Sequence, residues 1–161
     1  MRHRSRRSSS YASDAEKALI SEPIGSRADM KREKKQFLLV EDFEDSRFMM
    51  RRLLEMAGYD VLEASDGEEA VKIAVEARPV LILMDLSLPK LDGLAATRQI
   101  RQRKGLKTVP IVAVSAHDSP ESRTEALAAG CDEYVTKPID FDNLTKLLQR
   151  FLSSEHSRSL H

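Results

Sequence analysis

The sequence predicts an α/β domain in which a parallel β-sheet is covered by helices on both faces. Two observations support this prediction. From residue 37 onward, short apolar runs alternate with segments that have helical periodicity. Strict alternation of strand and helix favours parallel strands joined by right-handed crossovers. The 161 residues are enough for one such domain with terminal extensions.

Five apolar runs, each bounded by Gly, Pro or polar residues, predict the strands. In chain order they are 37–40 (FLLV), 61–64 (VLEA), 80–84 (VLILM), 109–114 (VPIVAV) and 131–135 (CDEYV). The third run leads directly into Asp85, and the polar and turn-forming residues that follow it end the strand. Asp85 is therefore expected where the third strand leaves the core.

Five other segments place apolar residues three and four positions apart, which is the spacing of an amphipathic helix. The positions expected to face the sheet are Met49, Leu53 and Met56; Ala70, Ile73, Ala74 and Ala77; Leu94, Thr97 and Ile100; Ala126 and Ala129; and Leu144, Leu147, Leu148 and Phe151. On this pattern Phe48 and Met50 lie at the margins of the first helix. There they either complete the core or meet a partner protein.

The two ends of the chain differ from the predicted domain. Residues 1–35 hold 10 Lys or Arg against 5 Asp or Glu, whereas the remainder holds 16 against 21. This composition predicts a disordered basic leader, with a nucleic-acid or lipid-binding arm and a translation start at Met30 as alternatives. We expect the domain to span 36–152 and residues 153–161 to form a short flexible tail.

Composition also excludes some classes of protein. No window approaches the roughly 20 apolar residues of a membrane-spanning helix, and the first thirty residues lack the apolar stretch of a secretory signal. Cys131 is the only cysteine, so no disulfide can form within the chain, and a reducing compartment fits. We expect a cytoplasmic protein.

Polar residues of interest follow the first, third, fourth and fifth predicted strands. Glu41 and Asp42 follow the first, Asp85 the third, Ser115 the fourth and Lys137 the fifth. Ligands of an open parallel sheet bind beyond the carboxyl ends of its strands. Each acid alone could cap a helix or lie in solvent, but three acids together require a cation, and Mg²⁺ suits carboxylate and water ligands. Asp85 could then attack phosphorus, with Lys137 and Ser115 stabilising the transferred group.

The segments LLVED, MDLSLPKLDG, VAVSAH and YVTKP occur in an order and spacing that resemble the receiver domain of two-component response regulators. The resemblance covers roughly residues 36–152. It implies a flavodoxin-like, doubly wound five-stranded parallel sheet in the order 2-1-3-4-5 with five helices. It also implies that Asp85 is the phosphoacceptor, that Asp42, Asp85 and the main-chain carbonyl of Ser87 bind Mg²⁺, and that Glu41 assists through water.

The same resemblance implies roles for residues after the fourth and fifth strands. Lys137 matches the family's invariant lysine, Ser115 its switch hydroxyl, and Tyr134 the aromatic residue that changes position. The Lys137–Pro138 peptide bond matches one that is often cis.

Two further positions are expected to tune how long a phosphoryl group survives. Ser87 and His117 lie two residues after the phosphoacceptor and the switch hydroxyl, where side chains control the access of water. An exposed loop histidine without such a role is the alternative for His117. Glu41 stands where aspartate is more frequent and Ser115 where threonine is also common, and both keep the required oxygen.

We therefore expect a stand-alone, Mg²⁺-dependent receiver that accepts phosphate from a histidine kinase or a histidine phosphotransfer protein. It would signal to a downstream protein target and hydrolyse its own acyl phosphate, without turnover of external substrates. We expect no direct DNA or membrane binding, and dimerisation could use the fourth helix, fifth strand and fifth helix.

Three alternatives to this function remain open at the level of sequence. A phosphohydrolase with an aspartyl intermediate would usually carry a second acid two residues after the nucleophile, where this chain has Ser87. A flavin or nucleotide binder would need a Gly-rich loop after the first strand. The third alternative is a receiver fragment of a hybrid histidine kinase.

Overall fold

A computed structural model describes residues 35–159, with side chains to Ser154. The prediction of a disordered basic leader therefore lies outside the described residues, apart from Lys35. Among the described residues, no helix combines the length and the apolar character needed to cross a membrane.

The sheet has five parallel strands in the order β2-β1-β3-β4-β5, as predicted. The strands are β1 (Gln36–Val40), β2 (Asp60–Ala64), β3 (Leu81–Asp85), β4 (Ile111–Ser115) and β5 (Glu133–Thr136). The helices are α1 (Glu44–Met56), α2 (Gly67–Ala77), α3 (Gly93–Gln102), α4 (Pro120–Ala129) and α5 (Phe141–Ser159). The chain leaves β1 toward one edge and returns on its other side at β3, which opens a crevice at the carboxyl ends of these two strands.

Alternate residues of the central strands fill two separate cores. One face packs against α1 and α5 through Phe37, Leu39, Leu81, Leu83 and Val112. The opposite face packs against α2, α3 and α4 through Leu38, Val40, Ile82, Met84, Ile111 and Ala113. Because successive side chains of a strand point to opposite faces, a run such as LILMD can be buried throughout.

Helices α2, α3 and α4 begin where a side chain satisfies one of their first free amides. Asp66 accepts a hydrogen bond from the Glu69 amide, Asp92 from the Ala95 amide and Ser119 from the Ser122 amide. Gly93 is required by close packing, since a Cβ atom there would lie 2.2 Å from the carbonyl oxygen of Asp85. The start of α3 is therefore pressed directly against the end of β3.

The structure corrects the predicted orientation of α1. Met49 and Met56 were expected to face the sheet, but their exposed fractions are 64% and 78%. Leu54 is instead fully buried, Met50 packs against the same core, and Leu53 is only half-buried. Apolar residues occupy both sides of α1, so periodicity alone admits two orientations, and packing against the sheet selects one.

The last helix extends beyond the predicted end of the domain. It continues to Ser159, so most of the segment expected to form a loose tail after Leu152 is helical. Leu152 itself is buried against the α1–α5 face of the sheet. Once a helix is anchored in this way, each additional residue adds a hydrogen bond without a new nucleation cost.

Candidate functional site

Three acids converge at the carboxyl ends of β1 and β3. One carboxylate oxygen from each of Glu41, Asp42 and Asp85 lies within 4.8 Å of the others. The register places Val40 beside Met84, so the residues that follow them on neighbouring strands must lie together. Glu41 and Asp85 are buried, whereas Asp42 is exposed. The predicted acidic cluster is therefore assembled by strand pairing, and one member of it remains open to solvent.

The two carboxylate oxygens of Asp85 have different partners. Its Oδ1 accepts a hydrogen bond of 3.0 Å from the Ser87 amide, and its Oδ2 lies 3.5 Å from Lys137 Nζ. Burial raises the pKa of Asp85 to about 6, and the negative charge of Glu41 acts in the same direction. The Ser87 amide and the Lys137 ammonium oppose this rise. In the absence of a metal the carboxyl group therefore titrates close to neutral pH.

Lys137 bridges two of the acids. Its Nζ lies 3.0 Å from Glu41 Oε2, closer than it lies to Asp85. Burial lowers the pKa of Lys137, but the hydrogen bond to Glu41 and the charges of Glu41 and Asp85 outweigh it, so the pKa is raised overall. The ammonium group therefore stays charged at neutral pH. The Lys137–Pro138 bond is cis, as the sequence predicted.

Ser115 ends β4 and is almost fully buried. Its hydroxyl accepts a hydrogen bond of 3.1 Å from the His117 amide, and its carbonyl accepts one of 2.7 Å from the Lys137 amide. No hydrogen bond joins Ser115 to Asp85 within residues 35–159. Because Ser115 Oγ acts as an acceptor toward His117, its hydroxyl hydrogen can still be donated to a ligand.

Tyr134 points inward from β5 and is only 6% exposed. Its hydroxyl donates to the carbonyl oxygen of His117. The imidazole of His117 is exposed, so this residue contacts both Ser115 and Tyr134 through its backbone rather than its side chain. The loop after β4 therefore connects the two residues that the sequence predicts to be the switch.

Sequence analysis overlooked two residues that support this site. Arg47 donates to the main-chain carbonyl of Glu41 at 2.9 Å, and it also lies 3.4 Å from Glu63. Lys90, in the loop after β3, lies 3.3 Å from the buried capping residue Asp66. The ion pairs Arg47–Glu63 and Lys90–Asp66 join residues that are distant in sequence, so no local pattern could have identified them.

The donor set fits a hard divalent cation. All three candidate ligand groups are carboxylates, and Lys137 is the cation that contacts two of them. Oxygen donors of this kind, with room for water on the exposed side of Asp42, are the ligands that Mg²⁺ prefers. The residues present therefore match the metal that the sequence suggested.

The sheet order and the cluster of acids and lysine at its carboxyl edge together define a receiver-like α/β domain. Comparison with known proteins establishes the family, since residues 37–149 match the response regulator receiver domain. The chain belongs to this family of two-component signalling domains.

Relatives of this chain include both short and long regulators. It is 43% identical over 105 residues to the alkaline phosphatase synthesis transcriptional regulatory protein PhoP of Bacillus subtilis, a match that covers 65% of this chain but only 43% of PhoP. It is 33% identical over 118 residues to the polar-differentiation response regulator DivK of Brucella anthropi, which covers 73% of this chain and 96% of DivK.

Solved structures give the same result. Chemotaxis protein CheY4 of Vibrio cholerae matches with a TM-score of 0.71 and 33% identity, over 74% of this chain and 99% of CheY4. The receiver domain of the sensor histidine kinase PA1611 from Pseudomonas aeruginosa matches with a TM-score of 0.71 and 37% identity, over 75% of this chain and 99% of that domain. The PA1611 structure has a magnesium ion coordinated in its active-site cleft.

Proposed function

We propose that this chain is a Mg²⁺-dependent phosphoacceptor that takes a phosphoryl group from a phosphohistidine onto Asp85. The observation that carries the proposal is the position of Asp85. Its carboxylate lies where those of Glu41 and Asp42 converge, and Lys137 Nζ is 3.5 Å from its Oδ2. A nucleophile, an acidic metal site and a fixed cation are thus within reach of one incoming group.

The transfer is a substitution at phosphorus. A carboxylate oxygen of Asp85 forms the new P–O bond while the P–N bond of the phosphohistidine breaks, and the electron pair returns to the imidazole nitrogen. Asp42, Asp85 and the Ser87 carbonyl would hold Mg²⁺, with Glu41 assisting through water. The bound metal supplies charge neutralisation for the phosphoryl oxygens.

Lys137 and Ser115 stabilise the phosphoryl group once it is attached. The ammonium of Lys137 pairs with one phosphoryl oxygen, and the hydroxyl of Ser115 donates its hydrogen to another. Attack of water on phosphorus later releases inorganic phosphate and restores the Asp85 carboxylate. The cycle acts on the chain's own side chain and requires no external substrate pocket.

The signal follows from the hydrogen bonds of the loop after β4. Movement of Ser115 toward the phosphoryl group pulls on the His117 amide, and the carbonyl of His117 is the acceptor of the Tyr134 hydroxyl. Tyr134 therefore changes its environment, and with it the surface made by α4, β5 and α5. That surface is the proposed contact for a downstream protein or for a second copy of the chain.

Ser87 and His117 are proposed to set the lifetime of the acyl phosphate. Both side chains are exposed on loops beside the acceptor, where they can shield phosphorus from water. We expect His117→Ala to accelerate loss of the phosphoryl group, measured as the decay of the phosphorylated mass after removal of the donor. An unchanged decay rate would show that His117 is an ordinary loop residue.

Intact-mass measurement tests the central proposal. The protein is incubated with acetyl phosphate and Mg²⁺, in parallel with Asp85→Asn and with Asp142→Asn, which alters an exposed acid outside the acidic cluster. We expect one acid-stable, base-labile phosphate in wild type and Asp142→Asn and none in Asp85→Asn. Phosphate on Asp85→Asn would contradict the assignment, and turnover of unrelated phosphate esters would favour the phosphohydrolase.

That the receiver works without a fused output domain stays a prediction. The mass of the native protein isolated from cells tests it, because a fused kinase or DNA-binding domain would add to the 18.2 kDa of this sequence.

A further inference from the structure

The guanidinium group of Arg123 lies over the aromatic ring of Tyr134 on the surface side. Its guanidinium carbon lies 5.0 Å from the ring centroid, a distance at which a cation is attracted to an aromatic face. The Tyr134 hydroxyl, at the tip of the ring, donates a hydrogen bond to the carbonyl oxygen of His117. The ring is therefore restrained at its tip and over one face.

Asp118 fixes the guanidinium in this position. Arg123 Nε and Nη2 lie 3.2 and 2.8 Å from Asp118 Oδ1, and Nη2 also lies 3.5 Å from the Thr136 hydroxyl. Arg123 belongs to α4, Asp118 to the loop after β4, and Thr136 to β5. One side chain thus connects the three segments whose rearrangement would carry the signal.

The ion pair between Arg123 and Asp118 is exposed, so conditions at the surface can change its strength. The Arg123 and Asp118 side chains have exposed fractions of 46% and 61%, so solvent and salt weaken their ion pair. The ring of Tyr134 beneath them is buried. A modest change at the surface pair can therefore alter the restraint on a buried aromatic residue.

We propose that Arg123 is a positioning residue for Tyr134, which it holds inward with the help of Asp118. This inference deepens the proposed function, because it places part of the control of the α4–β5–α5 surface in a side-chain pair outside the acidic site. A partner that binds this surface by taking the carboxylate of Asp118 or the guanidinium of Arg123 would release the ring.

Fluorine NMR of protein labelled with 3-fluorotyrosine tests the proposal without metal or phosphodonor. The Tyr134 signal is assigned with Tyr134→Phe, and its exposure is measured from the shift between H₂O and D₂O. We expect a small solvent shift in wild type and a larger one, with a displaced resonance, in Arg123→Ala. Asp118→Asn should give an intermediate change, because the guanidinium then keeps its ring contact but loses its anchor.

Two controls separate this role from general loosening of the fold. Tyr59 stacks on Phe37 in the opposite core, so its signal should not move if the variants are folded. Arg150→Ala removes another arginine that lies over a ring and pairs with an acid on β5, and it should leave the Tyr134 signal unchanged.

The inference is overturned if Arg123→Ala leaves the Tyr134 resonance and its solvent shift as in wild type, or if Arg150→Ala changes them equally. Because these spectra need no phosphorylation, their outcome is independent of the intact-mass experiment. Failure of wild type to accept phosphate on Asp85 would instead refute the proposed function.

Discussion

At Asp85, burial and reactivity oppose each other. A carboxylate must be charged to attack phosphorus, yet its position at the end of a buried strand beside Glu41 raises its pKa to about 6. Lys137 lies 3.5 Å away and offsets part of that cost. The folded protein therefore retains an energetic penalty at the proposed phosphoacceptor, and strongly shifted pKa values are frequent at functional sites.

Asp85→Asn should make the metal-free protein more stable at neutral pH. The folded pKa is raised above the ordinary value of 3.8, so the charged carboxylate costs stability above about pH 6, and the cost shrinks as the pH falls toward about 4. We expect Asn to raise the free energy of unfolding by about 1 to 3 kcal/mol near pH 7.5. Urea unfolding with EDTA measures this difference.

The pH dependence of that gain is the decisive part of the prediction. Near pH 4 Asp85 is protonated in the folded chain and partly protonated in the unfolded chain, so the difference between wild type and Asp85→Asn should shrink. An equal difference at both pH values would mean that Asn acts through packing rather than through removal of a charge.

At the level of elements, α1 presents an apolar surface that residues 35–159 leave exposed. Phe48 and Met49 are 56% and 64% exposed, whereas Met50 packs against the core, which is one of the two outcomes expected for it. The start of α1 adjoins Glu41 and Asp42. Exposed apolar residues beside a phosphoacceptor are suited to contact a donor helix.

Phe48→Ala should weaken phosphotransfer from a histidine-phosphorylated partner while leaving phosphorylation by acetyl phosphate intact. Loss of a large aromatic contact at a protein interface costs about 1 to 2 kcal/mol or more, so the transfer efficiency should fall roughly tenfold. Transfer from a purified phosphodonor provides the measurement. Val75→Ala, an exposed apolar residue on α2, is the control, and an equal loss in both variants would contradict a specific docking role.

Arg101 joins three segments far from Asp85. From α3 it donates to the carbonyl oxygens of Leu106, Val109 and Gly130 at 3.1, 2.6 and 2.9 Å, and it pairs with Asp132 at 2.9 Å. Its side chain is only 16% exposed. The planar guanidinium has the several fixed donors that this arrangement needs.

Arg101→Ala should therefore destabilise the domain by about 2 to 3 kcal/mol, because several part-buried carbonyl groups lose a charged donor. Arg101→Lys should recover little, since an ammonium group cannot reach all of these acceptors at once. Denaturant unfolding compares both with Arg98→Ala, which changes an exposed residue of the same helix. Equal stability of all three variants would show that the Arg101 contacts contribute nothing.

At the scale of the whole molecule, the topology forces like charges together. β1 and β3 are neighbours in the sheet although α1, β2 and α2 separate them in sequence. Their ends therefore bring Glu41, Asp42 and Asp85 together, and Lys137 offsets only part of the negative charge. A ligand that binds this arrangement and not the unfolded chain must stabilise the fold.

Mg²⁺ should raise the midpoint of thermal unfolding, and EDTA should reverse the effect. At a free concentration of about 100 times the dissociation constant, the expected stabilisation is about 2.7 kcal/mol. Asp42→Asn should remove most of it, because the exposed ligand loses its charge. The same ionic strength supplied as NaCl is the control, and an equal effect of NaCl would indicate screening rather than a metal site.

Much of the fold could be predicted from local patterns. The five strands were placed to within about two residues, and their order followed from the resemblance of four motifs to a known family. The orientation of α1 was wrong, because apolar residues on two sides of one helix allow two packings. The predicted domain ended at Leu152, whereas α5 continues to Ser159.

The candidate site was predicted as a set of residues but not as a geometry. Strand ends identified Glu41, Asp42, Asp85, Ser115 and Lys137 as neighbours. The strand ends could not show that Lys137 lies closer to Glu41 than to Asp85, or that the guanidinium of Arg123 lies over the ring of Tyr134. Those facts depend on side-chain directions across segments that are far apart in the chain.

The sequence by itself determined the alternation of strands and helices, the family and the chemical types gathered at one edge of the sheet. These properties arise from hydrophobic periodicity and from the rule that parallel strands end together. Only the tertiary structure decided which side of α1 is buried, which acid holds the lysine and which cation restrains Tyr134. Such choices are made by packing and by ion pairs between distant segments, and neither leaves a periodic signal in the chain.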